Sequence, residues 1–149
     1  MSKTRITAEQ RRSVTKRANN CCEYCRFPGS YSGTSLSMDH IQPEHVGGET
    51  TLDNLALACQ NCNSHKHTKL AATDSSTGQS ALLYNPRREQ WSDHFAWSKD
   101  FTLVEGLTPT GRATIEALQL NRPGLINIRA ALRAVGAHPP EDLGKELSR

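Results

Sequence analysis

The stretch Asp39–Lys66 reads DHIQPEHVGGETTLDNLALACQNCNSHK. It begins inside a short run, Ser35–Ile41, in which Leu36, Met38 and Ile41 are spaced as on a strand. A loop follows over Gln42–Asp53, marked by Pro43 and the Gly47-Gly48 pair. Leu55–Ala58 is a compact apolar run and reads as a second strand, and Cys59–Leu70 reads as a helix. Strand, loop, strand, helix in so few residues predicts an α+β unit.

The same stretch carries the side chains that phosphodiester hydrolysis asks for. A base must take a proton from water near neutral pH, and His40 is of the residue type whose ordinary pKa suits that. A divalent cation needs hard oxygen ligands; Asp39 offers a carboxylate and Asn63 an amide oxygen. Neighbours on a strand point to opposite faces, so Asp39 and His40 reach one phosphate only where the strand ends or bends.

Working outward, the cysteines set the second constraint. The chain has five: Cys21, Cys22, Cys25, Cys59 and Cys62. Cys22–Cys25 and Cys59–Cys62 have C-x-x-C spacing, which lets two sulfurs reach one ion, and two such pairs complete a tetrahedral zinc site. Cys21 competes with Cys22 at C-x-x-x-C spacing, and two-residue spacing favours Cys22.

Before the first pair, residues 7–19 predict a helix with Thr7 as N-cap and Gln10 at the capping-box position. The segment Lys3–Arg17 holds six basic residues opposed by Glu9 alone, and Arg11, Arg12, Lys16 and Arg17 are the nucleic-acid-contacting candidates. Residues 1–73 carry nine Lys+Arg against six Asp+Glu, whereas residues 74–149 balance nine against nine. The basic surplus therefore lies wholly in the first half.

The second half predicts a loop over Asp74–Ser80, a strand over Ala81–Tyr84, and a helix opened by Asn85-Pro86 and anchored by Trp91, Phe95 and Trp97. A strand over Phe101–Leu107 follows, then a helix capped by Thr108-Pro109 running to Leu120. A break at Asn121–Pro123 leads into a last helix to Val135 and a frayed tail over Glu141–Arg149. We expect 1–149 to form one domain, a zinc-bound core over 1–73 with 74–149 packed on it.

The whole chain has 149 residues, a net charge of +3 and 36% hydrophobic residues. Its mean hydropathy is −0.62. No run reaches the ~18 apolar residues of a membrane span, and the basic N-terminus is not followed by an apolar signal core. The expectation is a cytoplasmic protein with reduced thiols and no membrane partner.

The Asp39–Lys66 pattern resembles the ββα-metal motif of HNH nucleases, including those of CRISPR effectors and the phage endonucleases that resolve DNA junctions. The phage enzymes share the flanking C-x-x-C pairs and an Asn directly after the second, as in CQNCN here. The pieces CEYC, DHIQPEHVGG, TTLDNLALACQNCN, LYNPRREQWSDHFAW and GLTPTGRATIEALQLNRP also resemble small standalone bacterial HNH proteins.

The resemblance implies an α+β ββα-metal core with a structural zinc site, flanked by an N-terminal helix and C-terminal helices. It implies a metal-dependent endonuclease (a phosphodiesterase) in which Asp39 and Asn63 bind Mg²⁺ or Mn²⁺, His40 is the general base and Asn54 braces the loop. Cys22, Cys25, Cys59 and Cys62 would hold Zn²⁺. Many relatives carry His where this chain has Asn63. His65 and His67 rival Asn63 as ligand; His67 lies one helical turn further on. Lys66 and His45 read as solvent or phosphate contacts. DNA is the favoured substrate over RNA, with nicking at low sequence specificity. Two other readings stand beside it: a nuclease-dead zinc-ribbon nucleic-acid binder, or an effector subunit of a larger defence or mobile-element complex. A homodimer would be one way to cut both strands.

Overall fold

A computed structural model describes residues 5–141. Lys3 and most of the Glu141–Arg149 tail lie outside the described residues. Five α-helices and three two-stranded antiparallel sheets are present among them, a mixed α+β fold.

Helix α1 (Ala8–Arg17) begins at the expected cap. Thr7 Oγ1 accepts from the Gln10 amide and Gln10 Oε1 accepts from the Thr7 amide, each at 3.0 Å. The Gln10 side chain also reaches across the fold. Its Nε2 donates to the Thr50 carbonyl at 3.0 Å, tethering α1 to the loop of the central hairpin. Val14 and Ala18 bury the helix's apolar stripe. The chain then turns through Asn19 and Asn20, both with φ near +50° (53° and 54°), into the first cysteine pair.

The central hairpin pairs β1 (Ser37–His40) with β2 (Leu55–Ala58), with Asp39 opposite Ala56 and His40 opposite Leu55. All four β2 residues are buried. A strand apolar on both faces needs its remaining edge covered, and Glu23 supplies the cover. The Glu23 amide donates to the Leu57 carbonyl at 2.8 Å, and its Oε2 accepts from the Leu57 amide at 2.8 Å. Helix α2 (Gln60–Lys66) follows at once and packs on β1. It is shorter than the sequence suggests, because His67 takes φ 50° and ψ −119°, which no helix can continue.

The second half departs further. Strands β3 (Ala71–Asp74) and β4 (Gln79–Leu82) form a hairpin, so part of the expected Asp74–Ser80 loop is strand and the expected strand at 81–84 begins two residues early. Asp74 makes the turn by accepting from the Ser76 amide at 3.1 Å and the Thr77 hydroxyl at 3.0 Å. Asn85-Pro86 opens a closed turn instead of a helix. Asn85 Oδ1 accepts from the Arg87 and Arg88 amides while Glu89 Oε1 accepts from the Asn85 amide, so the local backbone groups are satisfied without helix extension. Only one helical turn, α3 (Trp91–His94), follows before β5 (Phe95–Trp97) pairs with β6 (Val104–Gly106). The expected strand over 101–107 shrinks to β6 because Asp100 folds its own turn, accepting from Ser98 Oγ and from the Thr102 amide and hydroxyl.

Helices α4 (Pro109–Leu118) and α5 (Pro123–Ala134) match expectation within two residues. Thr108 caps α4 by accepting from the Gly111 amide at 3.0 Å. Gly111 is obligatory, since a Cβ there would lie 2.1 Å from the His94 carbonyl oxygen. Leu118 and Leu120 enter the same core cluster as Val14 and β2, and Trp91 Nε1 donates to the Tyr24 carbonyl at 3.0 Å. No helix among the described residues is long and apolar enough to cross a membrane.

Candidate active site and metal centre

The two C-x-x-C turns converge. The sulfurs of Cys22, Cys25, Cys59 and Cys62 all lie within 4.8 Å of one another, and Cys25 Sγ is 3.8 Å from Cys59 Sγ. A tetrahedron with ~2.3 Å zinc–sulfur arms has edges of about 3.8 Å, so the donor set suits a thiophilic dication. Each turn aims an amide at its first sulfur, Cys25 N–H at Cys22 (3.4 Å) and Cys62 N–H at Cys59 (3.5 Å). Cys59 is the N-cap of α2, so the metal-binding turn and the helix start are one structure. Hydrogen bonds from the other three sulfurs pull the Cys59 thiol strongly down, while burial pushes Cys22 up. Thiols this close cannot all ionise unaided; a bound dication would supply the missing compensation. Cys21 stands apart, its sulfur directed to the Asn19 carbonyl at 3.4 Å. Burial raises its pKa.

Beside this centre, β1 ends at Asp39 and His40. Asp39 faces inward and is 3% exposed. Tyr24 Oη donates to its Oδ2 at 2.7 Å, and Lys66 Nζ lies 3.2 Å from both carboxylate oxygens. Burial lifts the Asp39 pKa above the usual carboxylate value, opposed by Lys66 and then Tyr24. Lys66, 2% exposed, also donates to the His40 and Ile41 carbonyls at 3.3 and 3.1 Å. It is therefore an internal cation, not the solvent-facing lysine its residue type suggests.

His40 points the other way and stays partly exposed. Its Nε2 is 2.8 Å from Thr50 Oγ1, either atom able to donate, and 3.9 Å from Glu44 Oε1. Thr50 is the residue whose carbonyl Gln10 holds, so His40 touches the loop that α1 anchors. Asn54 closes that loop from inside. Its Oδ1 accepts from the Gln42 amide at 2.9 Å, and its Nδ2 donates to the Gln42 and Glu49 carbonyls at 3.0 and 2.8 Å. The loop is tight: a Cβ on Gly48 would lie 1.7 Å from the Gln42 carbonyl oxygen.

Asn63 sits half-buried on α2, the helix that packs on β1. His67 is the C-cap of α2, one turn beyond Asn63: its amide donates to the Asn63 carbonyl at 2.8 Å, and its φ of 50° ends the helix there. His65 Nδ1 is 2.7 Å from the Asn61 carbonyl, within its own helix. Arg11, Arg12 and Lys16 are exposed on α1, whereas Arg17 spends one guanidinium arm on the Leu55 carbonyl at 2.8 Å.

Three participants carry no signal in the sequence. Tyr24 and Glu23 fill the two variable positions of the first C-x-x-C, whose spacing speaks only for the cysteines. Arg122, distant in sequence, aims its guanidinium at the Cys59 and Cys62 sulfurs.

Among known families, residues 22–69 match the one described as HNH endonuclease. No curated protein matches the chain. The segment from the first cysteine pair to just beyond α2 is thus similar to HNH endonuclease domains, a match that suggests nuclease activity on nucleic acid, and its four cysteines are placed to bind a metal ion.

Proposed function

We propose, from the HNH endonuclease domain at residues 22–69, that this protein is a metal-dependent endonuclease that hydrolyses phosphodiester bonds in DNA, nicking with little sequence preference. The observation that carries the reading is His40. It is partly exposed at the end of β1, against Thr50 of the loop that Asn54 closes, back to back with the buried Asp39.

His40 is the general base. A Thr50 hydroxyl that accepts from Nε2–H leaves Nδ1 with the free lone pair, and this is the competent tautomer. The histidine takes a proton from water, the water oxygen attacks phosphorus in line, and the bond from phosphorus to the 3′ oxygen breaks. The products carry 5′-phosphate and 3′-hydroxyl ends. Asp39 and Asn63 would hold Mg²⁺ or Mn²⁺, which when bound neutralises charge on the phosphate and the leaving oxygen. The oxygen donors suit a hard cation, and Asp39 would share its carboxylate between that cation, Lys66 and Tyr24. Cys22, Cys25, Cys59 and Cys62 hold structural zinc. Arg11, Arg12 and Lys16 offer phosphate contacts on the α1 face. One such site cuts one strand; a homodimer or a larger effector complex would extend it to duplex breaks.

One observation favours a second reading, a nuclease-silent nucleic-acid binder: both Asp39 oxygens already have protein partners. Supercoiled-plasmid cleavage separates the two. Zinc-loaded protein with Mg²⁺ or Mn²⁺ should give nicked circles, EDTA should stop it, and His40→Ala should lose it while keeping its fold. Tight plasmid binding without cutting in either metal would favour the binder, and a matched RNA substrate in parallel tests the preference for DNA.

A further inference from the structure

The cysteine centre has a fifth participant on the C-terminal half. Arg122 Nη2 lies 3.5 Å from Cys59 Sγ and 4.0 Å from Cys62 Sγ, and Nη1 lies 3.8 Å from Cys62 Sγ. The guanidinium is held in place: Nη1 also donates to the Leu118 and Gln119 carbonyls at 3.3 and 3.0 Å, at the C-terminal end of α4. Its own backbone is the N-cap of α5. It therefore bridges the α4–α5 junction and the two sulfurs that belong to α2.

We propose that Arg122 is an outer-sphere hydrogen-bond donor to the Cys59 and Cys62 thiolates, raising metal affinity and slowing metal loss. The proposal rests on these four sulfurs binding a metal. Four thiolates around a dication leave two excess negative charges in a site that is nearly closed to water, and buried charge without compensation is costly. Arg122 offsets one of them with donors that sulfur can accept. The position is also the one that needs guarding. Cys59 is 9% exposed, against 1% or less for the other three. Cys59 and Arg122 both line a groove of about 520 Å³ between the Phe27–Leu36 segment and α5. This is the face from which a competing chelator would reach a sulfur, and Arg122 stands there.

The test uses the full chain loaded with Co²⁺ and, separately, Zn²⁺. Donors on thiolate sulfur lower the energy of the sulfur electrons, so Arg122→Ala should move the sulfur-to-cobalt charge-transfer band to longer wavelength. It should also weaken zinc in competition with a chromophoric chelator by about tenfold or more, the usual scale for losing an outer-shell partner. Arg122→Lys, which keeps the charge and a donor, should recover part of both. If Arg122→Ala fails to fold, Arg122→Gln carries the same expectations, because it is neutral yet still able to donate to the Leu118 and Gln119 carbonyls. A folded variant with unmoved band and unchanged zinc transfer would overturn the role of Arg122. So would weakened zinc with an unmoved band and no recovery by lysine, which assigns the effect to the helix junction alone. A wild type with no charge-transfer band would instead overturn the metal reading of the cysteines, and Arg122's role with it.

Discussion

Lys66 Nζ and the Asp39 carboxylate lie 3.2 Å apart and are both almost fully shielded from solvent, at 2% and 3% side-chain exposure. A buried pair of this kind is expensive to break, because the survivor keeps its charge and loses its compensation. Lys66→Met should therefore cost about 3–5 kcal/mol of stability, read from urea unfolding of the metal-loaded chain. Restoring balance with Asp39→Asn in the same chain should return part of the loss. A cost below about 1 kcal/mol, the range of exposed pairs, would show that the ammonium is solvated in solution.

Asn54 closes the loop that carries Thr50. Asn54→Ala removes an acceptor from the Gln42 amide and a donor from the Gln42 and Glu49 carbonyls. The expected cost is about 1–3 kcal/mol, with nicking slowed more than the stability change requires, because His40 loses its fixed Thr50 partner. Asn54→Asp keeps the acceptor and should fall between. Nicking at the wild-type rate in Asn54→Ala would separate the loop from the chemistry.

Removing metal from the cysteine centre should reach strand β1. Tyr24 sits between Cys22 and Cys25 and donates to Asp39, so a loosened turn releases a partner of that carboxylate. A strong zinc chelator should lower the thermal midpoint and weaken protection of the β1 and β2 amides from hydrogen exchange. Unchanged exchange at Asp39 and Leu57 after complete metal removal would show the hairpin to be independent of the centre.

Asp74 and Arg112 form a two-pronged pair, at 2.9 and 3.0 Å, between the β3–β4 turn and α4. Arg112 holds the Asp74 pKa down to about 2. A depressed carboxylate stabilises the fold above its ordinary value near 4, and that contribution disappears as pH falls toward about 2. The stability gap between wild type and Asp74→Asn should be open at pH 6 and close on acidification. Any loss of metal from the cysteine centre is common to both chains and cancels in the difference. A gap constant with pH would assign the role of Asp74 to its turn contacts with Ser76 and Thr77.

The parts of this fold that rest on local chemistry are legible in the amino-acid sequence. Thr7 with Gln10 and Thr108 before Pro109 mark helix starts by satisfying amides within a few residues, Pro123 marks one by its fixed φ at the first helical position, and all three helices appear there. The convergence of the cysteines follows from spacing in the same way. What is not legible depends on partners distant in sequence. Lys66 looks like any helix-surface lysine until Asp39 is placed beneath it, and Gln79–Ser80 has no apolar signal because β4 is largely exposed. Trp91, Phe95 and Trp97 announce themselves as large apolar anchors. Their division between a helical turn and a strand does not, since the Asn85 turn and the bond to the Tyr24 carbonyl decide it.

Glu23 and Tyr24 give the first cysteine turn an unusual reach. Glu23 pairs with both polar groups of Leu57 and with Arg87 of the C-terminal half, while Tyr24 meets Asp39 and offers its carbonyl to Trp91. A four-residue loop with that many clients has no harmless way to come undone. Under the proposed function, counting bound metal per chain in a preparation of mixed quality then amounts to counting working molecules. Specific activity should scale with metal content through the origin, and a batch that looks sluggish is better understood as a batch that is partly empty.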